Sequence, residues 1–260
     1  MIAVLGPANS YCHLAAHKAH PKQKIAFFPT ITQVFNATEQ ENVMGFVPVE
    51  NILHGSVRET YACLTQHKLA ITAAYDLPIH HCLASRSRTY SSVMSHPQAL
   101  AQCQKFLSKK NLRLLESAST SAAMAYAVKH SAVAAIGSQE SARANKLTVL
   151  ARNIEDNPLN VTRFIQLEKK PKKTGSKTTL LLNPHNDKPG LLYDILGAFR
   201  EQNINLSKIE SYPSGARLGE YTFIIDVDVS GKRVDAAIND LRTLASVHSF
   251  GSYEVKKLGK

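Results

Sequence analysis

Glu168-Lys169-Lys170-Pro171-Lys172-Lys173-Thr174-Gly175-Ser176-Lys177 is the stretch on which the fold turns. Its like charges repel one another, its proline interrupts a helix or a ladder, and its glycine adds backbone freedom, so it reads as a solvated linker. The hydrophobic pattern differs on its two sides. Residues 1–168 form one unit and 178–260 a smaller one, with 169–177 joining them.

Downstream, residues 178–183 read as a strand. Leu191, Leu192, Ile195 and Phe199 recur at helical spacing as one apolar stripe, and Val234, Ile238 and Leu241 as another. Tyr221, Phe223, Ile225 and Val227 alternate as the buried face of a strand. With 204–209 and 247–255 as further strands the order is βαββαβ, which folds as a ferredoxin-like layer of two helices on an antiparallel sheet. Asp187-Lys188-Pro189-Gly190 leads into the first helix, whose free N–H groups suit a carboxylate; the plainer reading is an Asp cap followed by proline.

Upstream of the linker, apolar runs at 2–5, 45–49, 79–84, 133–136 and 164–167 read as strands buried on both faces. Helices alternate with them. Ser95 reads as the cap of a helix over 99–107, with Pro97 at its start, and Ser119-Thr120-Ser121 as the cap of one over 122–129. The alternation predicts a mostly parallel sheet that binds ligands at the carboxyl ends of its strands. Polar clusters fall at those ends: Gly6-Pro7-Ala8-Asn9-Ser10, Glu50-Asn51, Ser95-His96, Ser119-Thr120-Ser121 and Gly137-Ser138. Singly they are ordinary caps and turns; together, several helix N-termini on one cleft suit a ligand with two carboxylates. Among the histidines, His80 and His81 fall on opposite faces of the strand expected at 79–84. His96, at a helix start, is placed to orient a neighbour. Asp156-Asn157-Pro158-Leu159-Asn160-Val161-Thr162-Arg163-Phe164 puts a hydroxyl and a guanidinium in one strand-like segment, as a reaction centre for an anion requires.

Composition excludes several classes. The chain has 260 residues, 44% of them hydrophobic, enough for a sizeable core. Its four cysteines lack metal-ligand spacing, so reduced core thiols and no metal are expected. No apolar run reaches the roughly 18 residues of a membrane helix, and the start carries no charged leader, so a cytoplasmic protein with no membrane partner is expected. Of the net charge of +11, five lysines (Lys169, Lys170, Lys172, Lys173 and Lys177) sit in the solvated linker, which argues for no nucleic-acid partner; the remainder suits attraction of small dianions.

A resemblance covers nearly the whole chain. Gly6-Pro7 with Tyr11 and His13-Leu14-Ala15-Ala16, Val47-Pro48-Val49-Glu50-Asn51 with Gly55-Ser56-Val57, Ser95-His96-Pro97-Gln98-Ala99-Leu100, Ser119-Thr120, Ala135-Ile136-Gly137-Ser138 and Asn160-Val161-Thr162-Arg163-Phe164 follow one another as in prephenate dehydratases. The smaller unit, through Glu210-Ser211-Tyr212-Pro213, resembles their C-terminal ACT domain. The implied fold is α/β: a two-lobed catalytic domain like type II periplasmic binding proteins, with lobe 1 from 1–75 and 155–168 and lobe 2 from 76–154, then the ferredoxin-like ACT domain.

The resemblance implies decarboxylative dehydration of prephenate to phenylpyruvate without a cofactor. Thr162 would act on the leaving hydroxyl, and Arg163 would bind substrate or brace the strand. Asn9, Ser10, Glu50, Asn51, Gly55, Ser56, Ser119, Thr120 and Phe164 would bind substrate. It further implies L-phenylalanine as effector at Asp187, Pro189, Gly190, Leu191, Leu192, Glu210 and Ser211, in a homodimer or homotetramer joined through ACT domains. Arogenate dehydratase and an aromatic-amino-acid sensor of weakened activity remain alternatives. Four departures bear on this reading. Cys12 stands for serine and, with Asn9 and Ile52, suggests the weakened sensor. Asn9 stands for glycine, a change asparagine tolerates at positive φ. Ile52 stands for serine, which removes an expected donor near substrate and would cost about 1.5–3 kcal/mol. Tyr212 stands for arginine, which bears on effector identity.

Overall fold

The computed structural model describes residues 1–213 and 221–259. The first sheet collects β1 (Ile2–Leu5), β2 (Ile25–Phe28), β3 (Met44–Asn51), the short β4 (Gly55–Ser56) and β5 (Ala70–Pro78). Helices α1 (Tyr11–Ala19), α2 (Ile31–Glu41) and α3 (Arg58–Gln66) connect them. The chain then builds a second sheet from β6 (Cys82–Ser85), β7 (Ser92–Ser95), β8 (Arg113–Glu116), β9 (Val133–Gly137) and β10 (Thr148–Arg152). Here the helices are α4 (Pro97–Gln102), α5 (Gln104–Leu107), α6 (Thr120–Lys129) and α7 (Gln139–Ala144). It returns to the first sheet as β11 (Val161–Glu168), which lies between β3 and β5 and antiparallel to both.

That return corrects the expectation of a mostly parallel sheet. β1 is parallel to β2 and β3, and β7 to β8 and β9, but β6 is antiparallel to β9 and β10. A strand that leaves a sheet for another lobe and re-enters from the same end must run backwards. The single strand expected at 79–84 is likewise two elements: β5 stops at Pro78, β6 begins at Cys82, and 79–81 cross between the sheets. Ile79 and His81 are buried in the crossing, so burial there imitates a strand. The helix expected at 99–107 breaks at Cys103, and its cap is His96, whose Nδ1 accepts from Gln98 N. Ser95 ends β7 instead, and its buried hydroxyl donates to Ile136 O.

The third sheet comprises β12 (Lys177–Pro184), β13 (Leu206–Pro213), β14 (Tyr221–Val227) and β15 (Ala245–Tyr253) in the antiparallel order β13-β14-β12-β15, with α8 (Leu191–Glu201) and α9 (Lys232–Leu241) on one face. Leu180, Leu182, Ile225 and Val227 pack beneath Leu191, Ile195, Phe199, Val234 and Leu241. Leu192 departs from the expected stripe and is 41% exposed. The opposite face of this sheet is buried too. Leu181, Ile224, Phe250 and Tyr253 join the core of the first lobe with Phe35, Tyr61, Leu64 and Ile71.

Neither end of the smaller unit is a clean boundary. Lys177 is not part of a solvated linker: it opens β12, is buried, and its Nζ lies 2.6 Å from Asp228 Oδ1. Gly175 answers to crowding rather than flexibility, because a Cβ there would lie 2.3 Å from the Tyr253 carbonyl carbon. At the other end, β16 (Val255–Lys257) leaves the third sheet and pairs with β5, and Leu258 is buried in the first lobe. No helix among the described residues is long and apolar enough to cross a membrane.

Candidate active site

A cavity of about 310 Å³ opens between the two lobes. Ser10, Tyr11, Cys12, Thr162 and Phe164 line it from the first lobe, and His96, Gln98, Gln102, Ser119 and Thr120 from the second. Three helices begin on its wall. Ser10 caps α1 by accepting from His13 N, His96 caps α4, and Ser119 Oγ accepts from Ala122 N at the start of α6. Their uncapped N–H groups give the cavity a positive potential without a formal charge on its wall. Asn9 holds the turn into α1 at φ 64, with its N–H donating to His13 Nδ1 at 2.9 Å; asparagine takes this left-handed conformation at little cost, as the departure from glycine requires.

Thr162 is held from behind by a chain of neutral groups. Asn51, its partner in the β3–β11 ladder, donates from Nδ2 to Thr162 Oγ1 at 2.9 Å and to Asn160 Oδ1 at 2.8 Å. Asn160 Nδ2 donates to Gln102 Oε1 at 3.2 Å, and His81 Nε2 lies 2.8 Å from that same oxygen. Tyr11 closes the chain, its hydroxyl 2.8 Å from His81 Nδ1 and 2.7 Å from His80 O. Burial lowers the pKa of His81 and raises that of Tyr11 well above its ordinary value, so at neutral pH both are uncharged. The Thr162 oxygen already accepts from an amide, so its own proton is free to donate into the cavity.

Arg163 points away from this wall. Its Nε and Nη2 bind both oxygens of Asp76 at 2.7 and 2.8 Å, and this hydrogen-bonded pairing raises the guanidinium pKa further. The ladder slips beside it, with Arg163 opposite Glu50 but Phe164 opposite Pro48. A bulge suits Pro48, which has no N–H to give.

Of the residues singled out from sequence, the cavity brings together Ser10, Ser119, Thr120, Thr162 and Phe164, with Asn51 buried directly behind them. Glu50 and Ser56 lie elsewhere, at the boundary with the smaller domain, where Ser56 Oγ donates to Glu210 at 2.5 Å and Lys208 Nζ lies 3.3 Å from Glu50. Gly55, at φ 75, turns the β3–β4 hairpin. The donor expected to be missing at Ile52 has no place on the wall: Ile52 is 65% exposed, and it is the Ile52 N–H that matters, donating to Val161 O. Asp187 and Pro189 precede α8, Gly190 caps it at φ 84, and Leu191 and Leu192 begin it. Glu210 and Ser211 lie on the edge strand β13. Tyr212 packs on Tyr61 with ring centroids 5.6 Å apart and donates to Glu210.

Cys12, His81, Gln98, Gln102 and Asn160 also line the cavity, though none is among the residues expected to bind or act on substrate. Gln102 carried a signal, lying one helical turn after Gln98 and so on the same face. His81 carried none, because its role depends on the crossing between sheets.

A two-lobed cleft of neutral donors and helix starts, tied to a βαββαβ layer, defines an enzyme for small organic anions that carries a regulatory module. Comparison with known proteins narrows this. The prephenate dehydratase family model matches residues 2–172 and the ACT domain model residues 185–245. The prephenate dehydratase of Methanocaldococcus jannaschii is 38% identical, with 89% of this chain and 88% of that one covered. Arogenate dehydratase 1 of Petunia hybrida is 33% identical, covering 97% of this chain and 64% of its own. The crystal structure of prephenate dehydratase from Arthrobacter aurescens in complex with L-Phe superposes with a TM-score of 0.88 at 30% identity, covering 97% of this chain and 89% of that one. The chain belongs to the prephenate dehydratase family and carries an ACT domain.

Proposed function

We propose that the chain converts prephenate to phenylpyruvate, carbon dioxide and water, and that L-phenylalanine bound to the ACT domain inhibits it. The observation that carries the reaction is the Thr162 hydroxyl, set in the interlobe cavity with its oxygen occupied by Asn51. The bond from C4 to its hydroxyl breaks, the ring carboxylate leaves as carbon dioxide, and the electron pair it releases completes the aromatic ring. The departing hydroxyl takes one proton, drawn ultimately from solution, to become water. Thr162 stabilises that oxygen by a hydrogen bond that strengthens as negative charge develops on it, while the threonine itself stays un-ionised.

The starts of α1 and α6 hold the side-chain carboxylate with N–H groups. The absence of an arginine or lysine from the cavity wall among the described residues suits the other carboxylate, whose charge vanishes in the transition state; an ion pair there would stabilise the ground state most. The same wall has no aspartate or glutamate to meet the ammonium of arogenate, which favours prephenate as substrate.

Leu192, Tyr193 and Leu196 are exposed along α8 and support a homodimer or homotetramer joined through the ACT domains. Turnover of purified protein on prephenate and on arogenate, with and without phenylalanine, tests the reading. Prephenate turnover that falls with phenylalanine is the expected result. Faster arogenate turnover overturns the substrate, and turnover of neither leaves a binding protein.

A further inference from the structure

Lys208 is out of keeping with its place on an edge strand. Its side chain is 7% exposed, and it reaches from β13 into the first lobe. There Nζ lies 3.3 Å from Glu50 Oε1, 3.5 Å from Glu210 Oε1, in contact with Ser56 Oγ and 4.8 Å from the centroid of the Tyr61 ring. A buried ammonium is costly unless paired, so these partners fix its position. They also fix one another. Burial alone would push Glu210 up, but hydrogen bonds from Ser56 and Tyr212 and the charge of Lys208 outweigh it and hold the carboxyl below its usual range.

What Lys208 grips is the end of β3. Glu50 faces Ser56 across the β3–β4 hairpin and Arg163 across β11, and the next residue is Asn51, whose amide aims Thr162. Within the catalytic domain this hairpin end is held by two backbone ladders and by His54 Nε2, 2.8 Å from Gln102 Nε2. From the other domain Lys208 reaches Glu50 and Ser56, and Glu210 accepts from Ser56. We propose that Lys208 is a positioning residue for the dehydration: through Glu50 and Ser56 it clamps the hairpin that carries Asn51, so that the ACT strand β13 sets the aim of Thr162. This rests on the reading of Thr162 as the group acting on the leaving hydroxyl. It gives Glu50 a different role from the substrate ligand that resemblance implied, and it gives the ACT domain a contact through which a change at β13 reaches the cleft without any movement of lobes.

The test is a double-mutant cycle in the full-length chain on Lys208→Met, which keeps the apolar stem, and Glu50→Gln. Each single variant should lose about five- to tenfold in kcat with KM within about twofold, and the double variant should be no slower than the worse single one. Lys208→Arg should regain at least half of the lost kcat. A folded Lys208→Met enzyme with parental kcat overturns the clamp, as do losses that multiply in the double variant or a Glu50→Gln defect confined to KM. Where Lys208→Met is not recovered folded, Glu50→Gln carries the test alone by the same kcat criterion. Parental kcat in Thr162→Ala would instead overturn the catalytic reading; a large loss there beside a parental Lys208→Met overturns only the clamp.

Discussion

Two polar clusters lie on either side of the end of β3, and they are built from opposite materials. On the cleft side Asn51, Thr162, Asn160, Gln102, His81 and Tyr11 are uncharged and pass hydrogen bonds from one to the next. On the domain side Glu50, Glu210 and Lys208 are charged and compensate one another, with Ser56 and Tyr212 as donors. The cleft must accept a substrate that arrives with two carboxylates and loses one, so fixed dipoles serve better than fixed charges. The domain contact meets no such demand. It joins two folded units, and paired charges give it a definite register at modest net energy.

Removing the hydroxyl from the neutral cluster should have the largest effect. Thr162→Ala is expected to lower kcat by about 10²–10³-fold while KM moves by less than about threefold, because the bond gains strength only as the hydroxyl leaves; steady-state kinetics on prephenate decide this. A defect in KM alone would make Thr162 a binding group and erase the functional contrast between the clusters.

Ending the chain after Glu254 should come next. β5 would lose its partner β16 and the first lobe would lose buried Leu258, worth about 1.5–3 kcal/mol for that side chain alone. A clear fall in thermal midpoint is expected, read by calorimetry. The same contacts mean that removing the whole ACT domain strips a strand from the catalytic sheet and bares Ile71, Tyr61 and Leu64, so loss of turnover in such a fragment does not by itself report on regulation.

Arg163→Ala separates brace from ligand. It leaves Asp76 without its bidentate partner, and both side chains are largely buried, so a loss of about 1–3 kcal/mol in chemical denaturation is expected with KM nearly unchanged. A large rise in KM at parental stability would return Arg163 to the substrate.

The smallest effect concerns pH. Burial lowers the pKa of His81, and burial with the neighbouring His17 lowers that of His13, so the folded protein binds fewer protons at these sites than the unfolded chain. Their contribution is fully present above the unfolded histidine pKa of about 6.5 and is lost as pH falls from there through the folded values. The thermal midpoint should drop between neutral pH and about pH 5, and less steeply in His81→Gln. An unchanged slope would mean that folding leaves the His81 pKa where it stands in the unfolded chain.

Much of this was legible in the chain. The alternation at Phe223, Ile225 and Val227 and the helical stripes beside it specify the βαββαβ layer, because side-chain period and backbone geometry are the same fact seen twice. Tyr221, expected on the same buried face, starts the strand beyond the cover of the helices and is 49% exposed. Ser10, Ser119, Thr120 and Thr162 were legible because caps and strand ends are local and carry their residue types with them. What tertiary structure decided is which of these meet. The crossing at 79–81, the reversed β11 and the return of β16 to β5 are choices among partners distant in sequence, on which local periodicity is silent. Ile224 illustrates it: its neighbours gave the strand one buried face, and only docking against the first lobe buried the other. Glu50 and Asn51 illustrate it more sharply. Adjacent in sequence and alike in polarity, they part to opposite sides of β3, where one meets the ammonium of Lys208 and the other the hydroxyl of Thr162. Alternation along a strand dictates that they part; only the packing of the two domains dictates what each of them finds.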